Sequence, residues 1–303
     1  MKIQKLYFNI TLALTAMLFI QCAGDQWNGA ESHRWKTLSP KAEGSGLAAV
    51  HSTRTGIAFQ NSVSKENIAH NRHFLNGAGV ATGDIDGDGF TDIYFCKTDG
   101  PNILYRNLGG WKFEDITEES GVACPDQFST GAVFADIDGD GDLDLLVTAL
   151  GGPNAAFIND GSGHFSEATD QLGLTGSSGA TTMALADVDM DGDLDLYVTN
   201  NKVRSAKDIY SIHERTFEKT ARQTEQGWEI LPEFQDHYTL NINGNFLERF
   251  EFAEPDFMFI NEGSGKFRRE RLTEGRFKDE LGVVIEEEYY CLLYTSPSPR
   301  DRG

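Results

Sequence analysis

Asp84-Ile85-Asp86-Gly87-Asp88-Gly89-Phe90-Thr91-Asp92 opens a pattern, Asp-x-Asp-x-Asp-Gly-x-x-Asp, that recurs as residues 136–144 and 187–195. The first aspartates, at 84, 136 and 187, step by 52 and 51 residues. A period of that length marks a supersecondary unit repeated in space. Each loop runs straight into an apolar stretch: Asp92-Ile93-Tyr94-Phe95-Cys96, Asp144-Leu145-Leu146-Val147-Thr148 and Asp195-Leu196-Tyr197-Val198-Thr199. β-Branched and aromatic residues bounded by Gly and Asp predict strands. Shorter runs precede the loops at 79–81, 132–135 and 183–186, so each unit begins strand, Asp loop, strand.

Two further strands complete the unit. Gly100-Pro101-Asn102 opens Ile103-Leu104-Tyr105-Arg106-Asn107, and a Gly turn leads to Lys112-Phe113-Glu114-Asp115-Ile116. Gly152-Pro153-Asn154 opens Ala155-Ala156-Phe157-Ile158-Asn159, and Asp160-Gly161-Ser162-Gly163 turns into His164-Phe165. The third unit resumes only at Glu254-Pro255-Asp256-Phe257-Met258-Phe259-Ile260-Asn261, followed by Glu262-Gly263-Ser264-Gly265-Lys266-Phe267. Residues 201–254 are therefore an insertion between its second and third strands. Four short antiparallel strands per period predict an all-β fold, a β-propeller of about three four-stranded blades at 79–118, 131–169 and 182–271. Within the insertion, residues 205–224 are polar with scattered Ile209, Ile212 and Phe217, a pattern read as a surface helix. Asn243-Gly244 between Tyr238-Thr239-Leu240-Asn241-Ile242 and Asn245-Phe246-Leu247 predicts a hairpin. In a four-stranded meander the first and third turns share one face. The insertion, a second turn, projects from the face opposite the Asp loops.

The loop chemistry favours a hard cation. Carboxylates at positions 1, 3, 5 and 9 can wrap one ion: Asp84, Asp86, Asp88 and Asp92; Asp136, Asp138, Asp140 and Asp144; Asp187, Asp189, Asp191 and Asp195. The carbonyl at position 7, from Phe90, Asp142 or Asp193, adds a fifth oxygen. Gly89, Gly141 and Gly192 at position 6 permit a sharp turn. All-oxygen ligands on a flexible loop favour Ca2+, with about 6–8 oxygens, over Mg2+ and over softer metals. About three ions are expected. Purely polar turns would not explain three copies in register. An EF-hand needs a Glu at position 12 and flanking helices; here position 12 is Phe95, Val147 or Val198 inside a strand.

The loops, their strands and Phe157-Ile158-Asn159-Asp160-Gly161-Ser162-Gly163-His164-Phe165 resemble FG-GAP/VCBS repeats, the blades of integrin α-subunit propellers. The segments at 74–84 and 113–117 further resemble the bacterial branch related to cartilage acidic protein, whose members often carry a C-terminal ASPIC/UnbV domain. The resemblance covers about residues 55–290. It implies blades of a commonly seven-bladed ring, of which this chain shows three, and so a truncated fragment.

The 303 residues carry a formal charge of −21, from 47 acidic and 26 basic side chains. Phosphates would repel such a chain, which argues against nucleic acid. Lys2 and Lys5 followed by the apolar run 6–20 predict an export signal over 1–24, too short for a membrane span of about 20 residues. Leu18-Phe19-Ile20-Gln21-Cys22 resembles a lipobox, with Cys22 lipidated as a membrane anchor; cleavage after Cys22-Ala23-Gly24 is the alternative. Residues 25–54 read as a linker. Cys291-Leu292-Leu293-Tyr294-Thr295-Ser296-Pro297-Ser298-Pro299-Arg300-Asp301 matches, codon for codon, the translation of a transposon sequencing adaptor. Residues 291–303 are set aside on that ground. Cys96 and Cys124 remain, either paired or as separate thiols.

These features predict an exported calcium-binding propeller, secreted or lipid-anchored at a bacterial surface. It would act as an adhesion or binding module for an extracellular protein or glycan, not as an enzyme. The competing expectation is a calcium-dependent polysaccharide lyase or hydrolase using His213, Glu214, His237 and Tyr238 of the insertion, a His-Tyr pair being able to abstract a proton.

Overall fold

The computed structural model describes residues 28–30, 33–35, 49–243, 246–251, 253–271, 277–278 and 281–284. The export-signal reading of 1–24, Cys22 included, and the adaptor reading of 291–303 lie outside the described residues. The chain forms two compact units, Met1–Ala49 and Val50–Gly303. In the first, β1 (Asn28–Ala30) pairs antiparallel with β2 (His33–Trp35).

The second unit is mostly β, built from antiparallel sheets. The first repeat is a meander of β3 (Val80–Gly83), β4 (Asp92–Phe95), β5 (Ile103–Asn107) and β6 (Phe113–Asp115). The second is β7 (Ser129–Ala135), β8 (Asp144–Pro153), β9 (Ala155–Asn159) and β10 (Phe165–Glu167), each paired with the next. The third opens with β11 (Ser177–Ala186) and β12 (Asp195–Asn201). β8 and β11 run well beyond the short stretches expected at 144–148 and 183–186. Their far halves pair with each other, Gly179 opposite Leu150 and Ser177 opposite Pro153. The second and third repeats therefore share one eight-stranded sheet. Gly179 is tight against the other neighbour, β12, as well: a Cβ there would sit 2.3 Å from the Asn201 carbonyl oxygen.

The insertion departs from the expected helix plus hairpin. Residues 206–220 hold only two single helical turns, Ala206–Ile209 and Phe217–Thr220. Tyr210 is already extended (φ −111°, ψ 142°), and three scattered apolar residues supply no continuous stripe to hold a longer helix. Two hairpins follow: β13 (Ala221–Thr224) with β14 (Gly227–Ile230), and β15 (Tyr238–Asn243) with β16 (Phe246–Glu251). In the second, Asn243 is the last paired residue, opposite Phe246, where the sequence placed it in the turn. The insertion has its own small core of Ala206, Ala221, Ile230, Phe234 and Tyr238. The chain then re-enters the repeat through β17 (Phe257–Asn261), which pairs with β12, and β18 (Phe267–Glu270). β12 begins at Asp195 next to the Asp loop and ends at Asn201, so the insertion leaves the sheet at the end opposite that loop.

Strand alternation sends side chains to two faces, and both faces are used. Tyr94 and Leu104 of the first repeat meet Leu145, Val147, Ala155 and Phe157 of the second. Leu146 and Ala156 of the second meet Leu196, Val198, Phe257 and Phe259 of the third. Each fully buried apolar side chain is worth about 1.5–3 kcal/mol, so these layers are what hold the repeats together. The first strands also converge. A Cβ at Gly79 would lie 2.7 Å from the Gly131 Cα, and Thr130 Oγ1 donates to the Ala180 carbonyl at 2.8 Å. Among the described residues no helix is long and apolar enough to cross a membrane.

Candidate metal centres

Each Asp loop joins the first two strands of its repeat, and backbone N–H groups shape it around its own carboxylates. In the first loop Asp84 accepts from Asp88 N at 3.1 Å and Gly89 N at 2.9 Å. Asp136 accepts from Gly139 N (2.8 Å) and Gly141 N (3.1 Å), and Asp187 from Asp191 N (3.1 Å) and Gly192 N (3.2 Å). Position 6 has φ of 86°, 98° and 102° at Gly89, Gly141 and Gly192, left-handed backbone that glycine adopts without a Cβ clash.

Three carboxylates close on a point in every loop: Asp84, Asp86 and Asp92; Asp136, Asp138 and Asp144; Asp187, Asp189 and Asp195. In each group, one oxygen per residue lies within 4.8 Å of the others. Positions 5 and 7 stand outside these trios. Asp88, Asp140 and Asp191 each accept from the backbone N–H two residues on, at Phe90, Asp142 and Asp193. The side chains of Phe90, Asp142 and Asp193 lie against Gly109, Gly161 and Gly263 in the third turn of the same repeat.

Position 9 is buried in all three loops, at 0%, 0% and 1% exposure for Asp92, Asp144 and Asp195. Burial pushes the Asp144 carboxyl up to about 6, and the charges of Asp138 and Asp140 add to the rise. Hydrogen bonds from Asn159 and Ile137 oppose it. Burial is also the largest cause raising Asp92 and Asp138. Desolvated carboxylates crowded together disfavour their own charge, and a cation among them favours it. The donors are all carboxylate oxygens, which fits a hard ion such as Ca2+. The first loop differs in one respect: Arg106 Nε pairs with Asp86 at 3.0 Å, where the other repeats have Ile158 and Ile260.

The sequence reading missed the partner of position 9. Its Oδ2 accepts from the position-2 backbone, Ile85 N, Ile137 N or Val188 N, at 2.9–3.0 Å. Its Oδ1 accepts from the backbone of the asparagine that ends the third strand: Asn107 at 2.7 Å, Asn159 at 2.9 Å and Asn261 at 2.9 Å. The signal was present, since Asn107 and Asn159 both lie 15 residues after their aspartate.

Two other sets of expected residues fare differently. His213 and Glu214 are exposed, and Glu214 is occupied by Ser211 N. Tyr238 is buried beneath the Arg249 guanidinium, and His237 stands edge-on to Tyr210. Cys96 and Cys124 are free thiols packed in one apolar cluster, and burial pushes them up to about 12 and about 11.

Comparison with known proteins joins these loops to a described repeat. The FG-GAP-like repeat matches residues 84–147 and 139–198, spanning all three loops. This chain carries FG-GAP-like repeats. The chain is also similar to cartilage acidic protein 1. Identity to the Xenopus tropicalis protein is 30% over 148 residues, covering 47% of this chain and 23% of that protein. Identity to the Mus musculus protein is 31% over 136 residues, covering 44% and 21%. Identity to the Homo sapiens protein is 29% over 137 residues, covering 44% and 20%. The matches thus span less than a quarter of each curated relative. The three acidic trios could hold metal ions, which is consistent with calcium-binding FG-GAP repeats.

Proposed function

We propose that the chain is part of a calcium-stabilised β-propeller, exported from a bacterial cell, that works as an extracellular binding or adhesion module and not as an enzyme. The observation that carries this is the threefold repetition of one carboxylate geometry at the same joint of three successive repeats. Convergence of the first strands at Gly79, Gly131 and Ala180, with face-to-face packing of successive repeats, supports the ring. So does the trailing face of the third repeat. Val188 is 43% exposed where Ile85 and Ile137, covered by the next repeat, are 1% and 2% exposed.

In this reading the ions are scaffolding. The partner surface lies at the opposite end of the sheets, on the insertion, where Ile209 and Ile212 are 45% and 72% exposed. The partner is an extracellular protein or glycan.

Two measurements test it. Thermal melting with calcium should occur well above melting in chelator, and the double substitution Asp136→Asn with Asp138→Asn should shrink that gap. A melt indifferent to chelator refutes the structural role of the ions. Arrays of matrix proteins and glycans should show retention without cleavage, and glycan cleavage would favour the lyase or hydrolase reading.

A further inference from the structure

We propose that Asn159 and Asn261 couple neighbouring cation sites, so that filling one loop preorganises the loop before it. The inference rests on the calcium reading of the loops and adds a role for residues outside them. Asn159 touches two loops at once. Its backbone N–H holds Asp144, the buried ligand of the second loop, at 2.9 Å. Its side-chain amide donates across the repeat boundary to the Ile85 carbonyl at 2.8 Å, the peptide between Asp84 and Asp86 of the first loop. The remaining groups of the side chain are fixed by Leu143 O and Gly163 N, both at 3.1 Å.

Asn261 repeats the arrangement one step on. Its N–H holds Asp195 at 2.9 Å, and its amide reaches the Ile137 carbonyl, between Asp136 and Asp138, at 2.9 Å. Leu194 O and Gly263 N complete its partners. Both asparagines are buried, at 3% and 1% exposure. Asn107 supplies an internal contrast. It binds Asp92, Thr91 O and Gly109 N in the same way but bridges to no earlier loop.

The physical argument is direct. Without an ion, three carboxylates repel and the loop samples several arrangements. An ion that fixes Asp144 also fixes Asn159, whose rigid planar amide then fixes the carbonyl between two ligands of the first loop. That loop binds its ion with less ordering left to do. By linkage the first ion helps the second equally.

Calorimetric titration of the chelator-treated chain with calcium chloride tests the coupling. The wild-type chain should bind cooperatively, with a Hill coefficient above 1. Asn159→Asp with Asn261→Asp keeps the shape and the Oδ1 acceptor but sets a carboxylate oxygen against the earlier carbonyl. This variant should bind without cooperativity and lose affinity by about fivefold or more, the lower end of ordinary site coupling. Asn107→Asp should stay cooperative. Circular dichroism at saturating calcium checks that the variants fold, and the wild-type arm decides even if they do not. Calcium binding with a Hill coefficient of 1 or below in the wild type, or unchanged cooperativity in the double variant, overturns the coupling alone. Absence of calcium binding overturns the calcium reading as well.

Discussion

Met190 breaks the loop pattern at position 4. Gly87 and Gly139 hold φ of 70° and 83° there, and Met190 is driven to 63° with its side chain 88% exposed. Left-handed backbone costs an L-residue about 1–2 kcal/mol, and glycine's greater freedom in the unfolded chain returns about 0.4–1 kcal/mol of that. Met190→Gly should therefore raise stability by up to about 1 kcal/mol in urea denaturation with chelator present; a loss of stability would mean the third loop does not turn as described. At this scale the sequence was legible where a residue's role is local. The aspartates and the position-6 glycines announce a tight oxygen-lined turn without reference to anything distant. The double duty of Asp92, Asp144 and Asp195 was not legible from the loop alone, because their second hydrogen-bond donors come from another strand.

The strands that follow the Asp loops were legible as elements because each is a short run rich in apolar residues next to turn residues. The break in the third repeat was legible too, and its repair has a definite chemistry. Asn102 Oδ1 accepts from Lys97 N at 2.7 Å, and Asn154 Oδ1 from Ala149 N at 3.1 Å. Asp256 does the same for Asn200 N at 2.6 Å, so one side chain before the third strand ties off the second strand in all three repeats. The sheet thus closes locally even with the insertion in between. Ala206 N bonds to the Glu251 carboxylate, which brings the ends of the inserted core together. Replacing residues 206–251 by a short glycine-serine linker should keep calcium-dependent melting. It should cost about 1 kcal/mol, or about 2–4 °C in Tm, for lost contacts such as Arg72 N to Asp208. Collapse of the fold on excision would show that the insertion belongs to the main core. The β13–β14 hairpin was not legible beforehand. Arg222, Gln223 and Glu229 are polar, and the residues that pack are the buried ends Ala221 and Ile230 with half-buried Trp228.

Across the whole molecule the first strands set how closely the repeats approach. At Gly79 a methyl group would meet the Gly131 Cα at 2.7 Å, and the obstacle is backbone, which cannot swing aside. Gly79→Ala should therefore destabilise the chain by about 1–3 kcal/mol, the ordinary cost of overpacking. Chemical denaturation with calcium present measures it, and an unaffected midpoint would mean the first strands stand further apart. The order of charge, loop and strand along the chain determined the repeat, its mostly β character and its preference for a hard cation, because each follows from short local patterns that recur at steps of 52 and 51 residues. Tertiary structure alone decided that an asparagine of one repeat grips the loop of the repeat before it, across 74 and 124 residues. It also decided that the second and third repeats share a sheet, and that Arg106 pairs with Asp86 of the first loop. Those facts depend on which surfaces meet after the chain has turned back on itself, and no local pattern of residue types encodes that meeting.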